Sequence, residues 1–347
     1  MPTDPPADTG ADSIVCFGEI LVRLSAPGRE LLMQSPRFDA HIGGAEANVA
    51  VGLSRLGHCA RMASVVADNA LGEAAIGELR RHGVDTSAIK SVGGRMGLYF
   101  LTTGAIQRPS EVLYDRAASA FANFDPAGYD WGSILTGASW LHLSGVTPAV
   151  GANASAACVA AAEAARPLGV KVSFDGNYRA QLWKTWNGDG PAVLKRILAQ
   201  AEIAFINERD IELILKTTFK AADPETRRAR AFEAAFAAFP ALKMLAATVR
   251  TQHGADHHEL SGGLATRSGM VRSRTYALAG IVDRIGAGDA FAAGVHHGLI
   301  AGKGEQYAID FGVAAAALKH SIAGDFNLAT VRQIEETMAG EALDVRR

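Results

Sequence analysis

An α/β protein with a mostly parallel, doubly wound sheet is predicted by three features of the sequence. Short apolar runs, among them Ile14-Val15-Cys16-Phe17 and Ile203-Ala204-Phe205-Ile206, read as strands buried on both faces. Helical stretches alternate with them, the order that places helices on both faces of a parallel sheet. Polar clusters follow the runs at Gly18-Glu19, at Asp175-Gly176-Asn177-Tyr178-Arg179 and at Asn207-Glu208. In such folds ligands gather at these carboxyl ends of the strands.

The first strand stops at Gly18. Leu21-Val22-Arg23-Leu24 alternates weakly, and Arg29 to Ala40 carries no strong period. His41-Ile42-Gly43-Gly44 leads into a helix that begins at Ala45 and is closed by Gly57. A strand over 61–66 and a helix over 71–81 follow, then two strands at 98–102 and 111–114 joined through Arg108-Pro109-Ser110. Trp140 to Ser144 is a strand, Ala152 to Ala165 an Ala-rich helix, and Val172 to Asp175 and Ile203 to Ile206 are further strands. Met244 to Thr248 is another strand, with a loop and hairpin after it. That loop carries His253, His257 and His258, and with no carboxylate or thiol set at metal-ligand spacing they read as solvated. Helices after Asp289 and over 305–320 complete the alternation.

A chain of 347 residues suffices for one large α/β domain, or for a main domain with a small appendage. The formal net charge of −2 offers no electrostatic reason to expect nucleic acid or an anionic membrane as partner. No run of about 18 apolar residues is present, so no membrane span is expected. Cys16, Cys59 and Cys158 lack paired or metal-like spacing and read as reduced core residues of a cytoplasmic protein. Residues 1–12 lack a basic region followed by an apolar one and read as a disordered tail, with the folded domain spanning 13–340.

The most informative stretch is Asp283-Arg284-Ile285-Gly286-Ala287-Gly288-Asp289, followed by the small residues Ala290 to Gly294. Glycines without side chains let an anion approach the backbone, and the free amides and dipole of a helix start favour negative charge. Asp289 stands where a base for a substrate hydroxyl is needed. Taken alone, it fits a helix-start carboxylate worth about 1 kcal/mol slightly better than a base. No metal site within the protein is expected. Arg116 and Arg179 point to an acidic ligand, because a guanidinium grips a carboxylate through two parallel hydrogen bonds and a neutral ligand gives no reason to aim it there.

With the Gly43-Gly44 pair, the polar strand ends and the 283–289 turn in place, the sequence resembles the ribokinase-like, phosphofructokinase-B type carbohydrate kinases over about residues 14–338. Asp283, Gly286-Ala287-Gly288-Asp289 and Ala293-Gly294 carry the stronger signature; Arg284 and Glu46 depart from it. Gly43 through Asn48, Gly97-Leu98-Tyr99, Tyr114-Asp115-Arg116, Leu141 through Gly145 and Asn177-Tyr178-Arg179 resemble the 2-dehydro-3-deoxygluconate kinases within that family. The resemblance implies a three-layer fold with a small β-sheet lid from segments at about 20–42 and 95–117. It also implies ATP and Mg²⁺ as cofactors and transfer to the 6-hydroxyl of a sugar acid. By position, Gly44, Asn48, Tyr99, Tyr114, Arg116 and Arg179 would face the sugar, and Asp289 would be the catalytic base. Gly286, Ala287 and Gly288 would form the anion hole, and Asn207 and Arg250 would face the nucleotide. An exposed lid face would make a homo-oligomer. The alternatives are a kinase of a neutral sugar or nucleoside, and a non-catalytic sugar-acid sensor on the same fold. A dinucleotide-dependent dehydrogenase is disfavoured, since no Gly-x-Gly-x-x-Gly follows the first strand.

Overall fold

The computed structural model describes residues 13–340; the tail expected over 1–12 lies outside the described residues. The strands are β1 (Ser13–Phe17), β2 (Leu21–Ser25), β3 (Asp39–Gly43), β4 (Ala60–Ala67), β5 (Ile89–Val92), β6 (Gly97–Thr102) and β7 (Glu111–Asp115). They continue with β8 (Ala138–Ser144), β9 (Lys171–Asp175), β10 (Ala201–Phe205), β11 (Met244–Gln252), β12 (His257–Thr266), β13 (Gly269–Arg272) and β14 (Tyr276–Ala279).

The large sheet runs β13-β12-β11-β10-β9-β8-β1-β4-β5, with β14 pairing along the first half of β12. From β11 to β5 every neighbouring pair is parallel, and β12 turns back antiparallel on β11. Strands β4 and β5 lie to one side of β1 and β8 to β11 lie to the other, so the chain reverses its winding beside β1. A crevice opens at such a switch point. The smaller sheet, ordered β3-β2-β6-β7, draws its strands from the two segments expected to form the lid. Both sheets are needed to shape the crevice.

The apolar runs become strands because Ile14 to Phe17, Val172 to Phe174 and Ile203 to Phe205 lose nearly all water on both faces. The helix Ala45–Arg55 packs on the sheet and also on the helix Ala287–Ile300. There a Cβ on Gly52 would lie 3.0 Å from that of Ala293, so small residues set the approach of the two helices.

Several expectations need correction. The helices Gly190–Leu198, Glu208–Leu215, Pro224–Ala238 and Val331–Ala339 were not assigned from the sequence. Three of them are only eight or nine residues long, and charged residues crowd the narrow apolar stripe of Glu208–Leu215, where Ile211 and Ile214 alone are buried. Signals did exist for Pro224–Ala238, in Asp223 as cap and Pro224 in the first turn. Strand β11 runs on to Gln252, so the histidine-bearing loop shrinks to a turn between β11 and β12. His258 is fully buried rather than solvated, packing edge-on against His320. Cys16 and Cys158 are free and buried, whereas Cys59 is exposed, following the turn after the helix Ala45–Arg55.

Glu46 is 0 % exposed in the first turn of that helix, where its Oε1 accepts a hydrogen bond from the Ser144 amide at 3.0 Å. Gly18 is glycine because a Cβ there would sit 2.0 Å from the Glu46 carboxyl. Burial pushes the Glu46 pKa up to about 8, against a partial pull downward from hydrogen bonds and from Arg116. A raised folded-state pKa means that the native state holds the proton more tightly than the unfolded chain. The resulting stability is complete below the ordinary carboxylate range and is lost as pH rises through about 8. Glu46→Gln removes this titration at nearly constant shape. The variant is expected to gain on the wild type by a few kcal/mol between about pH 5 and pH 9, read as diverging Tm values; parallel curves would refute it.

Candidate active site

A cavity of about 860 Å³ opens at the carboxyl ends of the strands, roofed by β6 and β7 of the small sheet. Asp289 lies at its floor as the third residue of the helix Ala287–Ile300. Gly286 caps that helix at φ 79°, and a Cβ on it would lie 2.0 Å from the Asp325 carbonyl oxygen. Glycine is therefore required by both backbone conformation and space.

Asp289 is 9 % exposed, and Asn48 Nδ2 donates to its Oδ2 at 2.6 Å. Burial raises its pKa to about 7; the Asn48 bond and the nearby Arg179 and Lys319 pull it down, and Asp325 pushes it further up. A carboxylate poised at that value takes a proton near neutral pH. Asn48→Ala removes the principal downward pull, so the acidic limb of a kcat/KM profile is expected to move up by as much as about one pH unit. An unmoved limb would deny the amide that role.

Beneath the turn lies a buried charge cluster that sequence reasoning missed. Arg23, 1 % exposed, pairs with Asp283 at 2.7 Å and with Asp325 at 3.2 Å. The Tyr99 hydroxyl donates to Asp325. Asp283 also accepts from the Ile285 amide at 2.9 Å and the Gly324 amide at 3.0 Å, so it ties the turn to the segment after the helix Gly304–Lys319. Lys319 is fully buried, donating to the Ile322 carbonyl at 2.8 Å, and burial lowers its pKa to about 8. An arginine inside the apolar run Leu21-Val22-Arg23-Leu24 was the available signal, because a buried arginine needs carboxylate partners.

The profile of the pfkB family carbohydrate kinases matches residues 11–327. The chain belongs to this family. Being a pfkB kinase, it is a phosphotransferase. It is 32% identical over 329 residues to a 2-dehydro-3-deoxygalactonokinase of Haloferax volcanii, covering 94% of this chain and 96% of that one. It is also 29% identical to a 2-dehydro-3-deoxygluconokinase of Bacillus subtilis, covering 90% and 91%. The solved structure of a 2-dehydro-3-deoxygluconokinase from Thermotoga maritima superimposes with a TM-score of 0.89 at 38% identity, covering 95% of this chain and 98% of that one.

Within this pfkB kinase, Gly44, Asn48, Tyr99, Tyr114, Arg116, Arg179, Asn207, Arg250 and the 286–289 turn all border the one cavity. Their detailed geometry differs from expectation at five places. Gly44 was expected to leave room for a sugar, yet a Cβ on it would strike the Glu19 carbonyl at 2.3 Å, so its absence first serves chain packing. The Tyr99 hydroxyl is committed to Asp325. Arg116 is 4 % exposed and its Nε donates to Glu19 at 2.7 Å, which leaves its terminal nitrogens to address a ligand. Asn207 caps the helix Glu208–Leu215, its Oδ1 accepting from the Arg209 and Asp210 amides, so only its Nδ2 remains for a ligand. The Ala287 amide turns back to the Arg284 carbonyl at 3.3 Å, so the first-turn amides left for an anion are those of Gly288 and Asp289. Arg179 is exposed on the loop after β9, and its one hydrogen bond is a long one, 3.4 Å to the Tyr178 carbonyl.

Proposed function

We propose that this pfkB kinase transfers the γ-phosphoryl group of ATP to the 6-hydroxyl of 2-dehydro-3-deoxy-D-gluconate in the cytoplasm. The observation that carries the reading is the pairing, across one cavity, of a buried carboxylate poised near neutrality with arginines that have ligand-facing nitrogens to spare. Asp289 takes the hydroxyl proton, and the amides at the start of the helix Ala287–Ile300 hold the developing charge. Arg179, with the terminal nitrogens of Arg116, grips the sugar-acid carboxylate. Gly44, Asn48, Tyr99 and Tyr114 shape the sugar pocket: Asn48 fixes the base, and Tyr99 fixes Asp325. Asn207 through its Nδ2, and Arg250, face the nucleotide.

Magnesium enters with the nucleotide. Among the described residues no group of three or more His, Cys, Asp or Glu could hold a metal ion, which suits an ion carried mainly by phosphates and water with at most one or two carboxylates. Asp175, a hard oxygen donor on the cavity wall, fits that part. When bound, the ion neutralises charge on the phosphates. The lid shields the transfer from water. Its strand β7 and neighbouring loops expose Leu113, Leu31, Met33 and Ile106, an apolar face suited to a second copy of the chain. No helix among the described residues is long and apolar enough to cross a membrane.

An ADP-release assay across 2-dehydro-3-deoxygluconate, its galactonate epimer, fructose, ribose and a nucleoside tests the substrate class. Turnover is expected with the acids, and Arg179→Ala is expected to raise the acid KM about 10-fold or more, the worth of a charge-assisted contact. Faster turnover of a neutral sugar would sink the reading; no ADP release with any acid would favour a sensor.

A further inference from the structure

Arg284 lies two residues before the helix-capping Gly286, half-buried on the cavity wall. Among the described residues its guanidinium has no hydrogen-bond or ion-pair partner, whereas Arg116 on the same cavity and the buried Arg23 are both held by carboxylates. The charged groups that act on Arg284 and on its neighbour Arg250 are other arginines. Arg284 feels Arg179, and Arg250 feels Arg284; together with burial these like charges lower the pKa of both Arg284 and Arg250. Three guanidiniums from three separate elements, the loop after β9, strand β11 and the 283–289 turn, thus converge on one wall, with Arg284 in the middle. Arg179 has Asp175, Asp210 and Asp289 close by in the same cavity, whereas Arg284 and Arg250 face each other with no carboxylate partner, an unfavourable pairing that suits an anion. A sugar acid carries a single carboxylate, already assigned to Arg179 and Arg116, which leaves Arg284 and Arg250 for a second anion. A nucleotide triphosphate carries several negative charges, and its terminal phosphate must reach the Gly288 and Asp289 amides next to Arg284.

We infer that Arg284 is a further catalytic residue, gripping the terminal phosphoryl group of the nucleotide at the junction between the two substrates. Its planar fork pairs two phosphoryl oxygens. During transfer the bond from phosphorus to the bridging oxygen of the diphosphate breaks and a bond to the acceptor oxygen forms. The acceptor proton goes to Asp289, and charge accumulates on the oxygens that Arg284 holds. Arg250 sits on the nucleotide side of this point and Arg179 on the acceptor side. The Arg284 carbonyl accepts from the Ala287 amide, so its backbone is held within the turn that carries the Gly288 and Asp289 amides.

The test is calorimetric binding of ATP, ADP and AMP to the wild type, Arg284→Ala and Arg284→Lys, without any sugar, followed by steady-state kinetics with the best acceptor. For Arg284→Ala, ATP affinity is expected to fall about 10- to 100-fold, AMP affinity to stay within about twofold, and kcat to fall at least as far as ATP affinity, the scale of a lost charged hydrogen bond. Arg284→Lys keeps the charge without the fork and is expected to recover ATP affinity in part while kcat stays low. Equal losses for AMP and ATP would overturn the inference. So would unchanged ATP affinity with a raised acceptor KM, which would place Arg284 on the sugar acid. The inference rests on the kinase activity and not on the identity of the acceptor: the binding series needs no sugar, so failure of the sugar-acid reading would leave its outcome untouched.

Discussion

Asp289→Asn is expected to lower kcat by about 10²–10⁴-fold, the usual weight of a general base, with acceptor KM changed little. Asparagine keeps the shape of the side chain and can still bond Asn48, so the pocket should persist while proton acceptance is lost. Two accompanying signatures separate this from general damage. In the wild type only the carboxylate form accepts a proton, so kcat/KM is expected to rise with pH through about 7, the value to which burial raises Asp289. That limb should vanish in the variant. Burying an ionised carboxyl costs stability above its ordinary pKa, so the variant is expected to melt no lower, and above pH 7 higher, than the wild type. An enzyme that is more stable, orders of magnitude slower and without the acidic limb is the predicted combination. Near-normal turnover would remove Asp289 from the chemistry.

Arg23→Met is expected to cost about 3–5 kcal/mol of folding stability, because it strands buried carboxylates that lose their cation. Asp325 is 2 % exposed and Asp283 is largely enclosed, while Lys319 lies close enough to offset only part of the charge. The measurement is a denaturant midpoint at pH 7. A loss below about 1 kcal/mol would mean that Lys319 or water already balances the pair. Adding Asp325→Asn to Arg23→Met should recover part of the loss, a coupling that a cavity effect alone would not produce. Activity should fall along with stability, since Asp283 holds the Ile285 and Gly324 amides on either side of the anion-binding turn.

These two predictions mark different depths of legibility. Asp289 was legible as a candidate because the signal is local: Gly286, Ala287, Gly288 and the carboxylate lie within four consecutive residues, and a helix start needs no distant partner to present its amides. Asn48 was legible as a candidate, but its bond to a residue 241 positions away is a product of two helices packing through small residues. Arg23 was passed over because a strand with a single charge reads as weak alternation until the carboxylates at 283 and 325 are brought beside it.

The same division runs through the arginines. That Arg116 and Arg179 were candidates followed from residue type and place, Arg116 after Tyr114-Asp115 in a lid strand and Arg179 after Asn177-Tyr178 at a strand end. Which nitrogens each has to offer did not: Glu19, 97 positions before Arg116, holds its Nε, while Arg179 makes only a long 3.4 Å bond from Nη1 to the Tyr178 carbonyl. Arg284 had no place at all until Arg250 and Arg179 were seen around the same cavity.

By itself, then, the sequence determined the βα alternation, the parallel sheet and the glycine-rich turn with Asp289 at a helix start, because periodicity and helix-start signals act over a few residues. Only the tertiary structure decided the buried cluster of Arg23, Asp283, Asp325 and Lys319, the state of Asp289 and the convergence of the three arginines. Charges act through space, and their energies depend on burial and on partners that chain order does not reveal.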